Sequence, residues 1–418
     1  MGVETVIVLF NRDLRVHDHP ALSAACERAR RVIPLFVRDP AVPAGRRGEF
    51  LTGCLADLRA SLRARGGDLL IRQGETVAET LRLAERTGAE AVFASADVSE
   101  LARTRERRLA AAGALRLFPG VTVVPPDLLR PAGGDHYRVF TPYWRAWQRA
   151  PRRTVLAAPQ RVPTPREWEP GPLPEGGQGG ETAARRRMNE WAARHLDRYG
   201  EGHDDLAGDT TSRLSPYLRF GCLSPLELSE LDNEDFVRQL CWRDFHHQVT
   251  FAFPRINRDD YRPRGHRWRD DEDALQAWKA GQTGVPIVDA GMRQLLAEGW
   301  MHNRARLITA SYLVKHLRID WRAGAAHFFE LLLDGDVADN FGNWQWVAGT
   351  GNDTRPNRSF NPIRQARRFD PEGRFVRAYV RELAKVPDAY VHEPNKSPSP
   401  TRGYPPPLTL AGREATLF

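Results

Sequence analysis

Short apolar runs alternate with alanine- and arginine-rich stretches over the first 128 residues. The runs span residues 5–10, 32–37, 68–72, 91–94 and 121–124, and they are rich in β-branched and aromatic side chains. Strands separated by stretches long enough for helices are typical of a parallel sheet with crossover connections. The pattern predicts an α/β domain with a five-stranded parallel sheet. No glycine-rich dinucleotide motif follows the first run, which disfavours a Rossmann dehydrogenase.

The pattern changes between residues 129 and 181. Proline and glycine dominate there, in the stretches PAGGDHY, APQRVPTPREWEP and GPLPEGGQGG. Such composition breaks regular structure and is typical of linkers. We therefore expect the first domain to end at residue 128 and a long linker to run over the surface.

From residue 182 to 418 the apolar positions recur at helical spacing. One run is Ala184, Met188, Trp191, Ala192 and Leu196, and similar runs occupy residues 236–245, 288–298 and 300–317. Apolar residues three or four positions apart lie on one face of a helix, and Gly299 is a typical helix terminator. This region is predicted to be an all-α domain.

Composition excludes several classes of protein. Of the 418 residues, 41% are hydrophobic, yet no stretch reaches the about eighteen apolar residues of a membrane span. The four cysteines are scattered, so neither a disulfide framework nor a zinc site is indicated. The pair His246 and His247 points about 100° apart on a helix and has no further ligand at suitable spacing. We therefore expect a cytoplasmic protein without a metal.

The charge favours polyanions as partners. The formal net charge is +8, and the stretch RPRGHRWR at 262–269 interleaves arginine with histidine and tryptophan. Basic surfaces with aromatic side chains are typical of nucleic-acid binding. An arginine-rich, alanine-rich composition can also result from genome bias, and a solvated face explains the charges equally well.

Indoles and amides concentrate near the end of the chain. Seven of the eleven tryptophans lie between residues 242 and 346. Gln239 and Trp242 are one helical turn apart, so both side chains can face one flat ligand such as a base or a flavin. The segment 208–217, GDTTSRLSPY, combines hydroxyls with the start of a helix. It suits a pyrophosphate cradle or an ordinary helix N-cap.

Six sequence blocks identify the chain by resemblance. They are FNRDLRVHDHPAL, TSRLSPYLRFG, LCWRDF, TGVPIVDAGMRQL, GWMHNRAR and DGDVADNFGNWQWVAGTG. In order and spacing they resemble the landmarks of the photolyase/cryptochrome family, nearest to the cyclobutane-dimer DNA photolyases of class I. The resemblance implies an α/β antenna domain, a long linker and a helical domain that binds FAD in a bent conformation.

The resemblance also implies which residues hold FAD. Asn340 corresponds to the residue that faces flavin N5, and Arg306 is expected to pair with Asp334 beside the flavin ring. The cofactor-binding positions are Tyr199, Thr211, Ser212, Arg213, Leu214, Ser215, Asn303, Arg306, Asp334, Gly335, Asp336 and Asn340.

In the family, the excited reduced flavin gives an electron to a pyrimidine dimer flipped out of DNA, and the dimer splits. A chain of three tryptophans, which Trp268, Trp321 and Trp344 resemble, delivers electrons to the oxidised flavin. The positions implied for the substrate pocket are Gln239, Trp242, Asn303, Arg304, Leu307 and Trp346.

The chain departs from its relatives at two pocket positions. Dimer photolyases usually have glutamate at position 239 and methionine at position 307. Gln239 still donates a hydrogen bond through its amide, and Leu307 retains bulk without the thioether. The histidine pair of the (6-4) enzymes is absent at Asn303 and Leu307, which disfavours that activity.

Other functions stay open from the sequence. A cryptochrome-like photoreceptor is the main alternative, against which stand Asn340 and the short end GREATLF, and a plain flavin-binding redox protein is a third. The antenna domain is expected to hold folate, a deazaflavin, a second flavin or no chromophore, since Ser99-Glu100 only half matches the folate-contacting pair. We expect a monomer that binds DNA carrying pyrimidine dimers.

Overall fold

The structure is a computed structural model that describes residues 3–42, 45–113, 115–173, 176–352, 355, 358–399 and 401–408. The C-terminal GREATLF, used above against a photoreceptor, lies outside the described residues. The chain packs into two compact units. The first comprises Met1–Asp197 and Ser212–Arg255, and the second comprises Arg198–Thr211 and Ile256–Phe418. The predicted boundaries at residues 128 and 181 stay predictions, because the division by packing falls after residues 197, 211 and 255 instead.

The first unit contains a parallel sheet, as predicted. Its order is β3-β2-β1-β4-β5, and each neighbouring pair is parallel. The central strands contain near-continuous apolar runs, as is usual where helices cover both faces of a parallel sheet, and Ile7, Leu9, Ile33 and Leu35 are buried in its core. The strands are β1 (Val3–Phe10), β2 (Ala29–Arg38), β3 (Leu70–Gln73), β4 (Ala91–Ser95) and β5 (Leu115–Phe118).

The prediction of the fifth strand is wrong. The run Val121–Val124 forms bends, and the strand that pairs with β4 is Leu115–Phe118. As an edge strand, β5 keeps Arg116 and Leu117 exposed and so lacks a continuous apolar run. Residues 121–124 are buried without pairing in the sheet, and the Val124 N–H donates to the buried Asp244 carboxylate at 2.9 Å.

The other regular elements of the described residues are helical. Their bounds are α1 (Pro20–Arg28), α2 (Gly48–Arg63), α3 (Thr76–Thr87), α4 (Glu100–Ala111), α5 (Phe140–Arg149), α6 (Glu181–His195), α7 (Tyr199–Gly202), α8 (Ser215–Phe220), α9 (Pro225–Leu228), α10 (Glu234–Ala252), α11 (Glu272–Lys279), α12 (Pro286–Glu298), α13 (Asn303–Ser311), α14 (Trp321–Leu331), α15 (Gly342–Ala348), α16 (Pro362–Phe369) and α17 (Arg374–Tyr379). Two π-helical turns occupy Tyr312–His316 and Val337–Phe341, and short 3₁₀ turns occupy Gly45–Arg47, Arg381–Leu383 and Pro394–Lys396.

The helical predictions from residue 182 onward are confirmed, with one change. Helices α6, α10 and α12 coincide with the predicted runs, and Gly299 ends α12 in the left-handed conformation at φ 64°. The run 300–317 becomes α13 followed by a π-helical turn. Across the described residues, no helix combines the length and the apolar composition needed to cross a bilayer.

Part of the region predicted as a surface linker forms regular structure and is packed against other elements. It contains α5, whose Phe140, Tyr143, Trp144 and Trp147 are buried. The glycine-rich end of the region packs on α2 so closely that a Cβ on Gly177 would lie 2.5 Å from a backbone nitrogen of that helix. Gly177 is therefore needed for the close approach of two backbones, whereas the composition alone suggested flexibility.

Candidate functional site

In the first unit, α10 carries the predicted pair Gln239 and Trp242. The helix begins at a capped end, because the Asn233 side chain accepts a hydrogen bond from the Phe236 N–H at 3.0 Å. Gln239 is exposed and Trp242 is half-buried. Residues three apart lie on one face of a helix. An amide that donates and accepts hydrogen bonds thus lies one turn from a flat apolar surface.

The segment at 208–215 has an unusual backbone. Asp209 and Arg213 have φ values of 46° and 51°, a left-handed conformation that costs free energy for residues other than glycine. The carbonyl of Ser212 accepts a hydrogen bond from Arg187 at 3.0 Å, within the first unit. Strained turns of this kind concentrate at ligand sites.

Two features of this segment favour the phosphate interpretation over the ordinary N-cap. Leu214 is the N-cap of α8 and its side chain makes no capping hydrogen bond, whereas the Ser212 Oγ accepts the Leu214 N–H at 3.4 Å. In the second unit, the Thr211 Oγ1 is buried and has no hydrogen-bond partner in the part of the chain that the structure describes. A buried hydroxyl without a partner is costly. A phosphate oxygen would satisfy it, so the segment fits the pyrophosphate of FAD.

The second unit contains the ion pair that the resemblance implies. Both guanidinium nitrogens of Arg306 contact the Asp334 carboxylate, at 3.1 and 2.7 Å, and Arg306 Nε donates to the Met301 carbonyl at 2.8 Å. Asp334 is buried, at 9% exposure. A two-pronged pair of this kind fixes both planes. It therefore presents a rigid, neutralised edge, as a flat cofactor ring requires.

Asn340 lies in the π-helical turn Val337–Phe341. Asp336 caps this turn by accepting the Asp339 N–H at 3.0 Å, and the Asp336 carbonyl accepts the Asn340 N–H at 2.9 Å. Single π-helical turns are frequent at functional sites. The Asn340 amide donates its Nδ2 hydrogen to the Ala325 carbonyl at 2.9 Å. Its Oδ1 is thus the atom directed away from Ala325 and suited to accept a hydrogen bond from a flavin N–H.

The three predicted electron-transfer tryptophans differ in burial. Trp321 and Trp344 are buried, whereas Trp268 is half-buried. The Trp344 ring packs directly on Gly324, one turn after Trp321 on α14, and a Cβ at Gly324 would overlap that ring. Trp344 therefore packs on α14 one turn from Trp321. Within the described residues, no ring contact joins Trp268 to Trp321 or Trp344.

The sequence did not predict two residues that contact this series of tryptophans. The buried Trp278 ring lies edge-on to Trp344, with centroids 6.0 Å apart. The Trp321 Nε1 hydrogen is donated to Asp260 Oδ1 at 2.9 Å. The high density of tryptophan in the sequence included Trp278 but indicated no role for it. Nothing in the sequence around Asp260 distinguished it from other aspartates.

The predicted substrate residues of the second unit lie on α13 and α15. Asn303 is exposed and Leu307, one turn later, is half-buried. The Arg304 guanidinium is held by both oxygens of Asp204, at 3.1 and 2.5 Å, and lies 4.2 Å from the Phe369 ring centroid. Burial lowers the pKa of the adjacent His302 to about 4, which keeps this imidazole neutral near two arginines.

Trp346 is flanked by aromatic and basic side chains. It is half-buried, its ring centroid lies 6.5 Å from that of Phe360, and the Arg358 guanidinium is 5.2 Å from its centroid. A half-exposed indole beside an arginine provides a stacking surface with positive charge, as nucleic-acid sites require.

The comparisons with known proteins are consistent with this geometry. The family described as DNA photolyase matches residues 6–166, and the family described as FAD binding domain of DNA photolyase matches residues 236–412. The chain is 49% identical to a Streptomyces griseus protein named deoxyribodipyrimidine photo-lyase, over 94% of this chain and 93% of that protein.

Two further relatives represent other branches. A Natronomonas pharaonis protein named cryptochrome DASH is 38% identical over 94% of this chain and 93% of its own length. The crystal structure of a bacterial class III photolyase from Agrobacterium tumefaciens superposes with a TM-score of 0.90 at 35% identity, covering 99% of this chain and 95% of that one.

Proposed function

Because the chain belongs to the photolyase/cryptochrome family, we propose that it is a light-driven lyase that splits cyclobutane pyrimidine dimers in DNA. The observation that carries the proposal is the exposed amide and half-buried indole of Gln239 and Trp242 on α10, in a chain 49% identical to a named photolyase. Together they offer one hydrogen-bonding group and one stacking surface to a base outside the helix.

FAD is the proposed cofactor. When bound, reduced and excited by blue light, FAD supplies the electron that splits the dimer and recovers it afterwards. The phosphates and ribitol are proposed to contact Tyr199, Thr211, Ser212, Arg213, Leu214 and Ser215. The remaining cofactor contacts are assigned to Asn303, Arg306, Asp334, Gly335, Asp336 and Asn340.

The residues around the flavin ring tune its protonation. Arg306 neutralises Asp334, so the buried carboxylate adds little net negative charge beside the ring. Asn340 offers its Oδ1 as an acceptor because its Nδ2 is committed to Ala325. A neutral amide accepts a hydrogen bond without removing the proton. The proposed effect is to favour the reduced flavin that repair requires.

Six side chains are proposed to contact the lesion, two on α10 in the first unit and four on α13 and α15 in the second. Gln239 donates its amide hydrogen at any physiological pH, whereas the glutamate of related enzymes must be protonated to donate. Trp242 and Trp346 supply stacking surfaces. Asp204 and Phe369 hold Arg304 in one orientation, which lowers the ordering cost of a phosphate or base contact. Asn303 and Leu307 complete the set. Flipping costs least at a lesion, where stacking and pairing are already weakened.

The second candidate is a cryptochrome-like blue-light receptor. The departures at Gln239 and Leu307 favour it, and so does the relative named cryptochrome DASH. Such a receptor would use the same flavin and the chain Trp268, Trp321 and Trp344 to signal rather than to repair. Both candidates predict photoreduction of the flavin, so only turnover of a lesion separates them.

The test is blue-light repair of a thymine-dimer oligonucleotide. The purified protein with FAD bound is chemically reduced, mixed with the oligonucleotide and illuminated, and recovery of thymine absorbance is followed against a dark sample. We expect recovery only in the light, and only with the damaged strand. Trp242→Ala serves as the control that retains flavin and loses repair. Reduced, flavin-loaded protein without light-dependent recovery would favour the photoreceptor.

A further inference from the structure

Phe140 stacks on the indole of Trp242 within the first unit. The ring centroids are 3.6 Å apart and the planes differ by 3°, so the two rings lie face to face in van der Waals contact. Phe140 is buried at 6% exposure, whereas Trp242 is half-buried. Phe245 lies edge-on to both rings, with centroid distances of 5.8 Å to Phe140 and 5.7 Å to Trp242. One indole face is therefore covered by a side chain from α5.

Two buried polar side chains of α10 form hydrogen bonds with the segment that carries Phe140. Gln248 accepts the Tyr137 N–H at 3.0 Å and donates to the Tyr137 carbonyl at 2.8 Å. Asp244 accepts the Trp147 Nε1 hydrogen at 2.9 Å. Gln248 and Asp244 are each 1% exposed. Phe140 lies between these two hydrogen-bonded residues, Tyr137 and Trp147, two helical turns before Trp147. The position of its ring along α10 is therefore fixed.

A fixed backing matters for a residue that stacks on a ligand. A half-exposed indole on a helix samples more than one rotamer, and ordering it on binding reduces affinity. Face-to-face contact with a buried ring selects one rotamer before any ligand arrives. The His246 ring, one turn later on α10, lies 6.1 Å from the indole centroid at 30°, so Phe140 is the ring in face-to-face contact that fixes the orientation of the opposite indole face.

We propose that Phe140 is a positioning residue for lesion binding: it holds the Trp242 indole so that the opposite face is ready for a flipped-out pyrimidine. The inference rests on the proposed function, because it deepens the role assigned to Trp242. Phe140 acts through Trp242 and touches no reacting atom. It belongs to the stretch read from sequence as linker, where no periodicity distinguished it.

The test measures dissociation constants of the full-length, FAD-loaded protein for a thymine-dimer oligonucleotide and its undamaged counterpart. Phe140→Leu is expected to weaken binding of the damaged strand about 3- to 10-fold, the range that one aromatic pair contributes, with undamaged binding unchanged. Phe140→Tyr is expected to retain the wild-type value. Trp144→Leu is the matched control, because Trp144 has similar burial on the same helix and stacks on Trp147 instead.

Two further variants separate this inference from the proposed function. Trp242→Ala should weaken damaged-strand binding, and adding Phe140→Leu to it should have no further effect. If Trp242→Ala binds the lesion normally, the role of Trp242 in the proposed function is wrong. If Trp242→Ala is weakened while Phe140→Leu matches Trp144→Leu, only the positioning role is overturned. Should Phe140→Leu fail to retain FAD, Phe140→Met takes its place in the same comparison.

Discussion

At the scale of single residues, a substitution at Trp344 tests whether electron supply to the flavin and repair of the lesion depend on different residues. Its buried ring packs on α14 beside the turn that begins with Trp321. Phenylalanine fills similar space but is far harder to oxidise, so Trp344→Phe should abolish light-driven reduction of oxidised flavin. Repair by chemically reduced protein should persist. Visible absorption under illumination and oligonucleotide repair measure the two. Trp191→Phe, a buried tryptophan on α6, is the control, and equal loss of both activities in Trp344→Phe would contradict separate roles.

Single residues were predictable from the sequence only where a motif carried them. The Arg306–Asp334 ion pair followed from the family blocks and is present. Asp204, Asp260 and Phe140 were not predictable, because each acts on a residue at least 60 positions away in the chain. Such a partner is selected by tertiary packing, which leaves no periodic or spacing signal in one sequence.

At the scale of elements, predictions succeeded where burial and periodicity agree. Helices α6, α10 and α12 bury apolar residues that recur at helical spacing, and the buried apolar runs of β1, β2 and β4 form the core of the sheet. The fifth strand was misplaced because the edge strand β5 is polar, while the buried run at 121–124 is held by Asp244. Burial without a sheet partner cannot be distinguished from a strand by composition.

The glycine-rich end of the predicted linker gives an element-scale prediction. Gly176 and Gly177 both have left-handed φ values, 105° and 97°, but a Cβ on Gly176 would meet open space whereas one on Gly177 would meet the backbone of Glu49 and Gly53. Gly177→Ala should therefore lower the free energy of unfolding by about 1–3 kcal/mol more than Gly176→Ala, since only Gly177→Ala overpacks α2. Urea midpoints of the two variants measure the difference. Equal midpoints would mean that the segment is a true flexible linker.

The contact between α5 and α10 predicts a pH dependence. Burial raises the pKa of Asp244 from 3.8 to about 6. The folded protein thus holds this proton more tightly than the unfolded chain, so the contribution of Asp244 to stability is largest below pH 4 and falls as pH rises to about 6. The full change is about 3 kcal/mol.

Asp244→Asn keeps an acceptor for Trp147 and removes the titration. Its stability relative to the wild type should therefore increase as pH rises from 4 to 7, by up to the same about 3 kcal/mol. Unfolding in urea at the two pH values measures this. The exposed Asp232→Asn, just before α10, should follow the wild type at both. A constant difference between Asp244→Asn and the wild type would show that Asp244 does not titrate in this range.

At the scale of the whole molecule, an α/β part and a helical part followed from the sequence because their patterns differ in period, whereas FAD was implied by the resemblance of the six sequence blocks to the family. The division into packed units did not follow from the sequence, since the stretch at 212–255 belongs to the same compact unit as residues up to 197. Helical periodicity reports which face is buried and not the partner that buries it.

Net charge gives the last prediction, which concerns DNA binding as a whole. The chain carries a formal +8, with exposed arginines at 364 and 368 on α16. If such side chains contact phosphates, binding releases counterions, and the logarithm of affinity falls linearly with the logarithm of salt concentration with a slope of about −0.9 per contact. Arg364→Gln and Arg368→Gln together should weaken damaged and undamaged DNA equally and reduce the slope by about 2. Gln239→Ala should instead weaken only the damaged strand and leave the slope unchanged. Titrations of both oligonucleotides at several salt concentrations distinguish the two effects, and an unchanged slope in the arginine variant would place the DNA backbone on another surface.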